Sequence, residues 1–318
     1  MPRHTPAVNE RSKTLDPERL ARRFRAGFIR SNRSGLSLLD VIVILVAVVL
    51  ITSLALLKVG GSRAASRRMQ CESNLRSVYL AMESYALRFG AFPIGSQNAS
   101  GPIRSERRGR HHNWAEGLLP FLGEEALAAK IDFQDSVYSS LNTSVGTTPV
   151  SSYRCIASAT TLSQHATTYA GVTGSLEQPI DEDIDGVFVL NQSIRKDQIT
   201  DGLGYTFLIG EKSRELNLDD PADSPDQWNS GTRTSLRNLG HPINGETGNE
   251  TRTTPLIAPS SDPFFVGGFS SNHLGGGYFL FADGSFRFFT EQADLRMLQA
   301  HASRAGESQT SKTPPLGW

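Results

Sequence analysis

At 318 residues the chain is longer than one membrane anchor needs and long enough to bury a sizeable core, so a folded domain plus an anchor fits the usual domain-size range. Two cysteines are too few for a cysteine-rich zinc site. The formal charge of zero hides an asymmetry: residues 1–35 hold nine Lys/Arg against three acids, which leaves that segment at +6 and the remainder at −6.

Residues 1–35 read as a basic cytoplasmic leader. Residues 36–57 follow as an apolar run with a single charge, Asp40, close to the ~20 residues that a membrane-crossing helix requires. The run is longer than the apolar core of a cleaved signal peptide. Basic residues beside a first span stay in the cytoplasm, which predicts a single-pass protein of the inner membrane with its C-terminal domain outside. A nucleic-acid-binding arm is the discarded reading of the same charges. An acid within a span is costly and marks a functional position by default, although Asp40 is also close enough to the interface to snorkel beside the helix N-terminus.

Residues 58–90 keep a helical period, with Leu75, Val78, Tyr79, Met82 and Ala86 on one stripe. Gly60 and Gly61 weaken the helix and Gly90 with Pro93 ends it near Phe89. Beyond, residues 91–300 read as a β-rich domain, with one short helical piece at 114–131, strand-like "GVFVLN" and "TFLIGE", and turn-like "ITDGLG". Residues 214–263 are rich in Asp, Pro, Asn, Ser, Gly and Thr and read as a long surface insertion, and 301–318 as a polar tail. The expected fold class is α+β: a long N-terminal helix packed on an antiparallel sheet with long loops.

Enzyme signatures fail on inspection. HExxH and GxSxG are missing, and "GYTFLIGEKS" has five residues between its glycines where a phosphate loop needs four. His111 and His112 adjoin the basic "RSERRGR" and read as a solvated loop. In "DEDIDG", Asp181, Asp183 and Asp185 alternate before Gly186, as in the first half of a calcium loop, but Gln192 stands where a bidentate Glu belongs. An acidic turn before a strand is the preferred reading, with calcium the one candidate cofactor. Cys71 and Cys155, both outside the membrane in this topology, either pair as a disulfide or remain as two buried thiols. "YFLFADGSFRFF" reads as a hairpin with a two-residue type I′ turn at Asp283-Gly284. That register sets Phe281 opposite Phe286 and Phe279 opposite Phe288, with four phenyl rings on one face. His273 precedes it as a hydrogen-bonding loop residue.

The stretch "RSG-LSLLDVIVILVAVVLI" resembles the type IV prepilin class: a basic leader, Gly, then an apolar helix with an acid at its fifth position. The resemblance implies cleavage by a prepilin peptidase between Gly35 and Leu36, methylation of Leu36, and pairing of Asp40 with the N-terminal ammonium of a neighbouring subunit. The class prefers Phe and Glu where Leu36 and Asp40 stand. Seven further segments, from "RRMQCESNLRSVYLAMESYALRFGAFPIG" to "FSSNHLGGGYFLFADGSFRFF", resemble in order a bacterial prepilin-like family whose soluble part is the domain of unknown function 1559. The C-terminal signature of that family, His-x9-Asp-Gly, falls on His273, Asp283 and Gly284.

Three functional classes follow. The first is a pseudopilin-like structural subunit of a type II secretion or pilus-like fibre, with prepilin peptidase, other pseudopilin subunits and the lipid bilayer as partners and no nucleic acid. The second is an anchored binding module that does not polymerise. The third, an enzyme using His273 and Asp283, lacks an accompanying nucleophile or metal constellation, so no activity is expected.

Overall fold

The computed structural model describes residues 37–157, 165–213, 227–245 and 262–306, with the side chains of 54–65 left out. The leader, Gly35 and Leu36 lie outside the described residues. The chain divides into two compact units, Met1–Gly60 and Gly61–Trp318. Helix α1, Leu38–Phe89, begins in the first and ends in the second.

In the first unit, every large apolar side chain from Leu38 to Ile51 is at least 40% exposed. Asp40 lies in the first turn and accepts a hydrogen bond at Oδ2 from the Ser37 backbone N–H at 3.0 Å, which satisfies one of the free donors of the helix start. Among the described residues no helix is long and apolar enough to cross a membrane; the side chains described in this apolar stretch stop at Ser53, short of Leu57.

The second unit is a mixed α+β structure. Its centre is a five-stranded sheet made of β3 (Tyr169–Val172), β4 (Phe207–Glu211), β5 (Leu236–Arg237), β6 (Gly276–Phe281) and β7 (Phe286–Thr290). The order across the sheet is β5-β3-β4-β6-β7, and all pairs are antiparallel except β3 with β5. The α1 residues Cys71, Leu75, Val78, Met82 and Ala86 are buried in one core cluster with Tyr169, Leu208, Tyr278 and Leu280. The other cluster holds Phe207, Phe279, Phe281 and Phe289 with Leu298 and Ala302 of a C-terminal helix, Leu295–Ala302. Gly90, at φ +80°, follows the last residue of α1 and takes its N–H to the Ala86 carbonyl, the left-handed stop that glycine permits.

Five expectations are corrected here. The hairpin register is shifted by one residue: Leu280 faces Phe286, Phe279 faces Arg287 and Tyr278 faces Phe288. Phe281 N–H donates to the Ser285 carbonyl, Gly284 N–H donates to the Phe281 carbonyl, and in the turn only Gly284 has positive φ, +87°. This is a three-residue loop with a glycine bulge, so the rings divide between the two faces of the sheet. Phe286 and Phe288 pack against the α1 cluster, with Arg76 and Arg68 over their rings, while Phe279, Phe281 and Phe289 join the other cluster.

Next, the helical piece at 114–131 is broken into α2 (Trp114–Leu118), a 3-10 turn (Leu119–Phe121) and α3 (Glu125–Ala128), as Pro120 and the positive-φ Gly123 require. "GVFVLN" forms no strand and contributes only an isolated bridge between Leu190 and Ser96. The centre of the expected surface insertion, from Gln227 to Asn238, is buried and includes β5. The expected tail begins inside the C-terminal helix: His301 and Ser303 are buried, and Arg304 Nη1 donates to the Ile184 and Gly186 carbonyls at 2.6 and 2.5 Å.

Candidate functional site

His273 sits in the loop that leads into β6, and Glu211 is the last residue of β4, which is antiparallel to β6; the pairing brings the two together. His273 Nε2 lies 3.2 Å from Glu211 Oε1 and 3.4 Å from Cys155 Sγ. A disulfide joins Cys155 to Cys71 of α1. Exposures are 0% for Cys71, 1% for Cys155, 3% for Glu211 and 7% for His273. Glu211 Oε2 is well satisfied, accepting from Ser271 Oγ at 2.7 Å and from the Tyr278 backbone N–H at 2.9 Å. Oε1 is buried and makes no hydrogen bond of acceptable geometry, although it faces the imidazole. Tyr169 closes the site from β3 and donates its hydroxyl to the Cys71 carbonyl at 3.2 Å; burial, then the Glu211 charge, holds its phenol well above the ordinary range.

The sequence singled out three of these residues but not Glu211. The signal was present in "TFLIGEKS": a carboxylate at the end of a fully buried strand needs a partner. Among the described residues Cys71, Cys155, Glu211 and His273 form the only group of three or more His, Cys, Asp or Glu side chains that could hold a metal ion, with one ligand atom from each lying within 4.8 Å of the others.

Asp283 takes no part in this cluster. It lies past the far end of β6, a six-residue strand and so ~17 Å in length. There its Oδ1 accepts from the Ser285 backbone N–H at 2.9 Å and from Ser285 Oγ at 2.7 Å, a side-chain turn that holds the hairpin. Gly284 faces α1: a Cβ placed on it would come within 2.7 Å of three ring carbons of Tyr79.

A second buried polar cluster was missed, because His111 and His112 are buried rather than solvated. The chain pairs β1 (Ser96–Gln97) with β2 (His112–Asn113), and Asn113 caps α2 through a capping box with Glu116. His112 Nδ1 meets Glu116 Oε2 at 2.7 Å and Nε2 meets the Asp135 carbonyl at 2.9 Å. Both ring nitrogens face oxygens, which an imidazolium satisfies with two donors; burial also raises the Glu116 carboxyl, so the pair can equally share one proton. Burial alone would lower the His112 pKa, but the Glu116 hydrogen bond and charge outweigh it and raise the value. His111 behaves oppositely: burial, then the charge of His112, lowers it to about 4. Its Nδ1 lies 2.9 Å from the Tyr138 hydroxyl, which continues to Ser230 Oγ at 2.8 Å.

The three aspartates of "DEDIDG" do not converge. Asp185 accepts from the Ser175 N–H and Oγ at 2.9 and 2.6 Å, Asp181 Oδ1 accepts from the Glu182 N–H at 2.8 Å, and Asp183 is exposed. They form no group close enough to share an ion among the described residues.

A family model described as "Protein of unknown function (DUF1559)" matches residues 61–296. No curated protein and no solved structure matches.

Proposed function

The chain belongs to the DUF1559 family of proteins of unknown function, and from that premise we propose that it is a single-pass membrane subunit of pseudopilin-like type. Its α+β domain lies outside the cytoplasm, its N-terminus inside, and it is processed by a prepilin peptidase at Gly35–Leu36 with methylation of Leu36. The observation that carries this reading is the surface of α1 from Leu38 to Ile51, apolar on every side and exposed throughout. A helix that is hydrophobic all round is covered by lipid or by other helices. Its one charge, Asp40, stands in the first turn, where it can meet the N-terminal ammonium of a neighbouring subunit in a pseudopilin-like fibre.

N-terminal mass spectrometry of chain extracted from membranes tests the processing. A new N-terminus at Leu36 that disappears in Gly35→Val is the expected result; residues 1–35 recovered intact in cells with an active prepilin peptidase would overturn it. Polymerisation is tested separately by cysteines introduced between Leu36 and Leu57, since a fibre subunit yields a ladder of crosslinked species. A single crosslinked band or none would favour the anchored binding module.

A further inference from the structure

We propose that Cys71, Cys155, Glu211 and His273 are a structural zinc site in the dithiol state of the protein, and that the disulfide is the metal-free, oxidised form of the same site. The inference is independent of the membrane and fibre reading.

Four observations lead to it. The four side chains are of the types that bind zinc: two sulfurs, an imidazole nitrogen and a carboxylate oxygen. They come from different parts of the chain, namely α1, the segment after the 3-10 turn at Ser151–Tyr153, the end of β4 and the loop before β6, so the fold rather than the local sequence assembles them. Apart from the two sulfurs, which the disulfide holds in contact and reduction would let move apart, their spacing is close to that of a coordination sphere. Zn–S and Zn–N/O bonds of ~2.3 and ~2.0–2.1 Å set tetrahedral ligand atoms roughly 3.3–3.8 Å apart. Here one atom from each residue lies within 4.8 Å of every other, and His273 Nε2 is already 3.2 Å from Glu211 Oε1 and 3.4 Å from Cys155 Sγ.

The fourth observation is the orphaned oxygen. Glu211 is 3% exposed, Oε2 takes both of its hydrogen bonds, and Oε1 is aimed into the cluster with none. A buried carboxylate oxygen that faces an imidazole at 3.2 Å without a hydrogen bond of good geometry is costly, and a cation at the centre of the cluster satisfies it directly. The hydrogen bonds on Oε2 are then the outer support that orients a ligating carboxylate.

The chemistry balances simply. Reduction of the disulfide by a phosphine or a dithiol adds two electrons and two protons and gives two thiols; zinc displaces the two thiol protons and takes the thiolates, the neutral imidazole and the carboxylate as ligands. With four protein ligands no coordination position remains open, so the site is structural rather than catalytic. In either state the same residues tie α1 to the sheet.

The test uses the full chain in detergent, reduced with a phosphine, its two free thiols verified by mass, then freed of reductant without air and titrated with Co2+ as a spectroscopic stand-in for zinc. One equivalent should bind, with thiolate-to-cobalt charge transfer and the intense visible bands of tetrahedral Co2+, and zinc should displace it. The oxidised chain should bind none. His273→Ala and Glu211→Gln should each weaken binding at least tenfold and alter the visible bands, while Asp183→Asn should leave both unchanged. If the reduced chain loses its fold, zinc should restore its circular dichroism. The proposal is overturned if the reduced chain binds no metal, if zinc fails to restore a lost fold, or if the His273 and Glu211 variants bind as tightly as wild type.

Discussion

Gly284→Val measures how tightly the β6–β7 turn is held against α1. Two costs add. Gly284 has φ +87°, a conformation that costs a non-glycine residue ~1–3 kcal/mol, at the upper end for a β-branched one. A Cβ at this position would also come within 2.7 Å of three ring carbons of Tyr79, and overpacking of that kind costs ~1–3 kcal/mol. Together they amount to about 4 kcal/mol, which for a folded unit of this size lowers the melting temperature by roughly 10 °C. Circular dichroism melts of the detergent-solubilised chain provide the assay. Gly284→Ala should lose less, because it meets the ring with a single carbon and carries no β-branch. In the Tyr79→Ala background the ring contact is gone and only the φ cost remains, so the same Gly284→Val change should cost about half as much there. A Gly284→Val protein that melts with wild type, or a cost that Tyr79→Ala leaves unaltered, would refute the turn geometry and the ring contact respectively.

Three other outcomes are expected. Acid should destabilise the fold through His111: its pKa is near 4 in the folded state and ~6.5 when unfolded, so the unfolded chain binds the extra proton between those values and stability falls by about 3 kcal/mol as pH drops from 6.5 to 4. The raised pKa of His112 acts the other way, its stabilisation growing as pH falls towards 6.5 and complete below it, so the His111 part is isolated by comparison with His111→Asn, which tolerates the positive φ of 51°. Parallel denaturation profiles of the two proteins from pH 7 to 4 would remove the assignment. Cys71→Ser/Cys155→Ser should cost up to about 4 kcal/mol by releasing a cross-link between residues 84 apart, read as a lower urea midpoint; an unchanged midpoint contradicts it. Asn113→Ala should cost about 2–4 kcal/mol, since it removes the cap of α2 together with bonds from Nδ2 to the Trp228 carbonyl and Ser235 Oγ, and a melting point within two degrees of wild type would count against that network.

What the sequence made legible was what period and punctuation encode. Leu75, Val78, Met82 and Ala86 are buried because a stripe at three- and four-residue spacing has one face to give to a sheet, and Gly90 ends the helix because its left-handed conformation is cheap. The failures came where tertiary partners replace local signals. Thr232, Thr234, Ser235 and Asn238 have the composition of a solvated loop, yet they are buried: Thr232 and Thr234 bond each other, Ser235 bonds the Ser230 carbonyl, and the segment adds β5 parallel to β3. Trp228 and Leu236 were the clues within it. His111 and His112 turn inward from a basic stretch for a similar reason, because Tyr138 and Glu116 are there to receive them. The hairpin slipped by one residue because Asp-Gly serves two turns: the two-residue type needs positive φ at both positions, whereas the three-residue loop asks it only of Gly284. At the candidate site, Glu211 escaped notice because its partners come from distant parts of the chain.

The spacing of His273 and Asp283 is explained by β6 itself. The strand must begin beside Glu211, where His273 meets the disulfide, and must end where the turn can lean on Tyr79 of α1. Cys71 and Tyr79 are eight residues apart on one helix, ~12 Å along its axis, while the six residues of β6 cover ~17 Å, so the loop before the strand and the turn after it both reach the same helix near its buried stripe. The constraint is thus a length set by a strand running alongside a helix, with an anchor at each end. A catalytic pair would have to be within hydrogen-bond reach of a common substrate, and two residues at opposite ends of a strand are not. His273 and Asp283 therefore stand at the two ends of one strand, and only the first of them stands among groups that could hold a metal ion.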